Sequence, residues 1–131
     1  MGAIHRKESD IDRKARLASY VQKWRTNNPE KQARARKRAY ENRKRKAMAL
    51  CGGDVCIRCG CKELEFLEFN HKNGGGAKEI REANYGAMMD LILTKKRDTI
   101  DLEILCRVCN AYDHLQRKNP ELAKHYTITW K

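Results

Sequence analysis

The amino-acid sequence predicts an α+β protein: a small metal-stapled domain behind a basic helical arm. Three observations lead there. Residues 1–50 hold 16 Lys/Arg against 5 Asp/Glu and carry helical periodicity, whereas residues 51–131 hold 13 against 12. Two Cys-x-x-Cys pairs bracket 46 residues in the second part. Short strand-like and helix-like segments alternate between and after those pairs. At 131 residues, with 40% hydrophobic and 7% aromatic residues, there is room for one modest domain and an appendage. A core this lean needs a staple.

The elements follow in order. From about Asp10, Ile11, Ala15, Ala18, Val21 and Trp24 recur at helical steps, with Ser9 or Asp10 as the cap. Thr26-Asn27-Asn28-Pro29 punctuates the pattern: Asn28 suits an N-cap and Pro29 the first turn of a second helix, Pro29 to Leu50. That helix has a thin apolar stripe (Ala35, Ala39, Tyr40, Ala47, Met48, Leu50) among Arg34, Arg36, Lys37, Arg38, Arg43, Lys44, Arg45 and Lys46. Gly52-Gly53 ends it. Glu65–Asn70 reads as a strand with Leu67 and Phe69 on one face. Gly74-Gly75-Gly76 is a turn, and Asn84–Lys96 a helix with Met88, Leu91 and Ile92 on one side. Leu102–Leu105 is a second strand. Residues 110–124 form a helix that Asn119-Pro120 interrupts, so the domains are an arm (1–50), a central domain (51–118) and a tail (119–131).

Cys56-Ile57-Arg58-Cys59 and Cys106-Arg107-Val108-Cys109 are the staple. A Cys-x-x-Cys turn sets two thiolates on one side of a tight loop, and two such turns supply the tetrahedral set of a closed structural Zn²⁺ site. Such a site replaces hydrophobic core rather than performing chemistry. Cys61 competes on paper, since CIRCGC offers alternative pairings, and Cys51 is spare. With no apolar secretory stretch in MGAIHRKESD and no long apolar run anywhere, the chain is expected inside the cell, off the membrane, where paired cysteines bind metal more often than they form disulfides.

The net charge of +12 lies almost wholly in the arm. A free helix carrying that run repels itself, and a polyanion relieves the repulsion, so the arm is expected to bind DNA through phosphate contacts. The alternative is a solvated charged helix. Trp24 and Tyr40 either stack on exposed bases or pack the two arm helices together.

A plain zinc ribbon needs far fewer than 46 residues between its pairs. Here the interval ends a strand in Phe69-Asn70-His71, and the second pair runs straight into Asn110, with His114 four residues on and therefore on the same helix face. On the stretches EFNHKNGGG and LEILCRVCN, residues 51–118 resemble the HNH (ββα-metal, His-Me finger) endonucleases, specifically the zinc-bearing phage recombination endonuclease VII-like group. WRTNNPEK in the arm is similar to segments that precede such domains in small phage proteins.

The resemblance implies metal-dependent hydrolysis of DNA phosphodiesters, in double-stranded or branched DNA, within a phage-infected host cell. It assigns His71 as general base and Asn110 as ligand to a catalytic divalent metal, Mg²⁺ by preference, with Asn70 standing where relatives carry Asp. His114 matches a histidine that ligates metal in other branches, which would favour a softer ion such as Mn²⁺, Ni²⁺ or Zn²⁺; otherwise Asp113-His114 is an exposed turn of helix. An amide at position 70 removes a negative charge from the metal site, and Glu68, two residues earlier on the same strand face, is the candidate substitute. Lys72, Lys78 and Arg81 either contact phosphate or are solvated. The rival readings are a non-catalytic nucleic-acid-binding protein on the same scaffold, and a structural subunit whose arm binds RNA or an acidic protein; a homodimer stays open.

Overall fold

A computed structural model describes residues 9–129. The chain divides into two compact units, one through Ala39 and one from Tyr40 onward.

The first unit holds helix α1 (Asp10–Asn27) and the first half of helix α2 (Pro29–Ala49). Ser9 caps α1: its Oγ accepts from the Asp12 N–H at 3.1 Å, and Asp10 and Asp12 sit in the first turn, where carboxylates suit the helix dipole. Asn28 starts α2 only through its carbonyl, which accepts from the Gln32 N–H at 3.0 Å. Its side chain turns back instead and donates to the Trp24 carbonyl at 2.9 Å, closing α1. No residue of α1 is buried, and Trp24 is 40% exposed.

The second unit begins earlier than the sequence suggests. Ala47 and Met48 on the last turns of α2 are completely buried, so the end of the arm is part of the core. The sheet has two antiparallel strands, β1 (Leu67–His71) and β2 (Leu102–Cys106), paired Leu67 to Cys106, Asn70 to Glu103 and His71 to Leu102. A 3₁₀ turn (Leu64–Phe66) precedes β1, which is why the strand starts two residues later than expected and runs through His71. Leu67, Phe69, Ile104 and Leu105 are buried, and Phe69 lies against the Tyr85 ring at 5.7 Å between centroids.

Helix α3 (Gly76–Leu93) is two helical pieces joined at Asn84, whose φ of 53° and ψ of 165° break the helix. The Asn84 carbonyl Oδ1 accepts from the Ala87 N–H at 2.9 Å and so caps the second piece. That is the boundary the sequence marks; the first piece has no apolar stripe to announce it. Met88, Met89 and Ile92 are buried, whereas Leu91 is 38% exposed, so Met89 takes the core position assigned to Leu91. Helix α4 (Arg107–Lys118) follows β2 directly, and α5 (Pro120–Ala123) is capped by Asn119 and buries Ala123, tying the C-terminal segment to the domain. Among the described residues no helix is long and apolar enough to cross a membrane.

Candidate metal centre and the cleft beside it

The four predicted cysteine ligands come together. The Sγ atoms of Cys56, Cys59, Cys106 and Cys109 all lie within 4.8 Å of one another, with Cys59 and Cys106 3.6 Å apart. Tetrahedral zinc with Zn–S bonds of about 2.3 Å puts its sulfurs roughly 3.8 Å apart, so the set fits such an ion. The first pair is held by its own turn, Gly60 N–H donating to the Cys56 carbonyl at 2.9 Å. The second straddles the junction of β2 and α4, where Cys106 is the N-cap and its sulfur accepts from the Cys109 N–H at 3.5 Å. Burial pushes the Cys56 thiol up, but backbone N–H groups of Cys106, Cys59 and Arg58 outweigh it and hold the group at about 6. Burial together with the neighbouring thiols raises Cys109. Four sulfurs this close ionise together only around a cation. Cys61 is not needed: its carbonyl accepts from the Cys56 N–H at 2.9 Å, so it closes the knuckle through its backbone.

Beside this centre lies a cleft of about 900 Å³. Asn70, His71, Asn110 and His114 all line it, together with the glycine turn Gly74–Gly76 and the cations Arg107, Arg117 and Lys118, of which Arg107 pairs with Glu68 at 3.1 Å. The side chains split by strand alternation. Glu68 and Asn70 meet α4: Asn110 donates from Nδ2 to Glu68 Oε2 at 2.8 Å, and Asn70 donates from Nδ2 to Glu103 Oε1 at 2.8 Å and to Asp113 Oδ2 at 3.4 Å. Carboxylates only accept, so both amide nitrogens must face them, and both Oδ1 atoms are turned elsewhere. His71 meets α3 instead. Its Nε2 lies 2.5 Å from Glu79 Oε2, and the residue is 8% exposed. His114 is exposed.

Several contributors went unread in the sequence. Asp113 is not an exposed helix turn: its side chain is 14% exposed and pairs with Arg58 of the first knuckle and with Arg117 at 3.3 Å. Its spacing of three from Asn110 is the signal that could have placed it on the same face. Glu103, Glu79, Arg97 and Asp101 had no such signal, because only the fold brings them to Asn70 and His71. Arg97 donates from Nε and Nη2 to both Glu79 oxygens at 2.5 and 2.8 Å, and from Nη1 and Nη2 to Asp101 at 2.9 Å each. The Arg97 hydrogen bonds hold both carboxyls below their ordinary values.

One predicted phosphate contact fails. Lys44 is 7% exposed, its Nζ donates to the Leu64 carbonyl at 2.8 Å, and burial pushes its ammonium below the usual range. It braces the end of α2 against the 3₁₀ turn. Arg43 and Arg45 pair with Asp90 at 3.4 Å and Asp54 at 2.7 Å; Arg34, Arg36, Lys37, Arg38, Arg45 and Lys46 are exposed. Tyr40 is 42% exposed. The chain matches no protein-family model, no curated protein and no solved structure.

Proposed function

We propose that the protein is a metal-dependent DNA endonuclease of the HNH type, with the four-cysteine centre as structural zinc and the cleft as the hydrolytic site. The observation that carries this reading is the pairing of two amides in one cleft. Asn70 on β1 and Asn110 on α4 each have the nitrogen tied to a carboxylate, which leaves each carbonyl oxygen as the available donor to a hard cation. Glu103 brings negative charge beside them, whereas Glu68 is paired with Arg107 and Asp113 with Arg58 and Arg117. A divalent ion such as Mg²⁺ held there would stabilise charge on the phosphorus and on the leaving 3′ oxygen.

The chain's own work is then acid–base chemistry and positioning. His71 takes a proton from water as the water oxygen bonds to phosphorus and the bond from phosphorus to the 3′ oxygen breaks. Arg107, Arg117 and Lys118, which line the cleft, would hold the phosphate backbone. His114, exposed on α4, is the second candidate ligand and would move the preference towards Mn²⁺ or Ni²⁺. The exposed basic residues of α2 contribute affinity that does not depend on base sequence.

The experiment is a metal titration of supercoiled-plasmid nicking, wild type beside Asn70→Asp. Nicking that requires Mg²⁺ or Mn²⁺, and that Asn70→Asp shifts to lower metal concentration, supports the reading. Wild-type protein inert at every metal concentration defeats it. One observation favours the binding-only alternative: the His71 ring is enclosed and already engaged by Glu79. In that case DNA binding persists without cleavage.

A further inference from the structure

We propose that Glu79, clamped by Arg97, fixes the tautomer of His71 so that Nε2 carries the proton and Nδ1, the nitrogen against Gly76, is the one left to accept a proton. This rests on the nuclease reading only where it concerns catalysis.

For the neutral ring, the chemistry of the contacts allows one tautomer. Arg97 grips Glu79 with two N–H groups, and a carboxylate so held is ionised and can only accept. The nitrogen 2.5 Å from Glu79 Oε2 must therefore be the donor, and in the neutral ring that leaves Nδ1 bare. Arg97 Nη2 also lies 3.4 Å from the same Nε2, but an arginine cannot accept; the shorter Glu79 contact decides the proton's place. Arg97 is in turn fixed by both oxygens of Asp101, so Glu79 is the end of a braced chain and not a mobile surface carboxylate.

The backbone holds the ring in register. The His71 carbonyl accepts from Arg117 Nη1 and from the Gly74 N–H, each at 3.0 Å, and the Lys72 N–H donates to the Asp101 carbonyl at 2.9 Å. On the Nδ1 side stands Gly76, in the cleft wall. A methyl there would sit 2.6 Å from Nδ1, so the space beside that nitrogen exists only because the residue is glycine. Glu79 is thus a positioning residue, acting through His71.

Histidine ¹⁵N NMR on the full-length zinc-loaded protein reads the tautomer without reference to activity. With four histidines in the chain, the His71 signals are assigned by their loss in His71→Gln. With the pH raised until the ring is neutral, the expected result is His71 protonated at Nε2 in wild type and in Glu79→Gln, whose carbonyl still accepts, and a mixed or Nδ1-protonated ring in Glu79→Ala. In nicking assays Glu79→Ala should lower kcat about 10–100-fold with KM little changed, and Glu79→Gln should recover most of it. An Nδ1-protonated wild-type ring, or a Glu79→Ala spectrum identical to wild type, overturns the proposal; the wild-type spectrum decides even where Glu79→Ala does not fold. An Nε2-protonated ring in an inert wild-type protein would overturn the nuclease reading alone and leave the tautomer assignment standing.

Discussion

Replacing Gly76 with Ala tests whether the wall of the cleft is as tight as the geometry requires. Position 76 opens α3 and does not have the left-handed φ of Gly74 and Gly75, so alanine is conformationally welcome there. On backbone grounds alone the substitution should stabilise by about 0.4–1 kcal/mol, by restricting the unfolded chain. The space says otherwise. The new methyl would lie 2.6 Å from His71 Nδ1, 3.1 Å from Cε1 and 3.2 Å from Cγ, against an ordinary contact of roughly 3.5–4.0 Å. The ring cannot retreat, since its side chain is 9% exposed and its far nitrogen is held by Glu79. Overpacking of this kind costs about 1–3 kcal/mol, so the net should be a loss of about 1–2 kcal/mol. At a urea dependence of about 1–3 kcal/mol per molar, the midpoint should fall by roughly 0.3–2 M. Urea unfolding followed by circular dichroism, with zinc saturating throughout, measures it. Gly86→Ala is the contrast: its methyl would meet Arg43 Nη2 at 3.3 Å and Asn84 Oδ1 at 3.5 Å, ends of side chains that can move, so it should be neutral or stabilising by up to ~1 kcal/mol. A Gly76→Ala protein as stable as wild type, with its zinc retained, would refute the packing argument.

Three further outcomes follow from the same contacts. Metal analysis should find one tightly held Zn²⁺ per chain, with chelation or Cys109→Ser costing much of the folded signal; a folded, zinc-free wild-type protein would contradict this. Arg34→Ala and Arg38→Ala should each reduce the slope of log affinity for DNA against log salt by about 0.9, whereas Lys44→Met should leave the slope alone and change only stability. Glu79 and Asp101 have carboxyls depressed below their ordinary 4.5 and 3.8 by Arg97. Stability from that pairing is present above those values and is lost as pH falls through the lower folded-state ones. The stability gap between wild type and Arg97→Gln should therefore be constant down to about pH 4.5 and shrink below it; a gap undiminished at about pH 3 would exclude the mechanism.

What could be read in advance was local. The Ser9 cap, the helix start at Asn84, the interruption at Asn119-Pro120 and the paired Cys-x-x-Cys turns are each written within a few residues, and each is where the structure has it. What could not be read depends on which elements meet. The run of cations on α2 looks uniform in sequence, yet Lys44 is buried because that turn of helix carries Ala47 and Met48 into the core. Alternation along β1 predicts that Asn70 and His71 face opposite ways; that Glu103 and Asp113 await one and Glu79 and Arg97 the other follows only from the pairing of β1 with β2 and from the packing of α4, α3 and the loop after α3. A buried amide or imidazole announces its need for a partner without naming it.

The most direct test of the nuclease reading is supercoiled-plasmid nicking in Mn²⁺ or Mg²⁺ by wild type and by His71→Ala, purified identically, with zinc content and DNA affinity matched. Wild type should nick, and His71→Ala should lose nicking by about 10²–10⁴-fold, the share a general base supplies. Nicking that survives His71→Ala undiminished would contradict it.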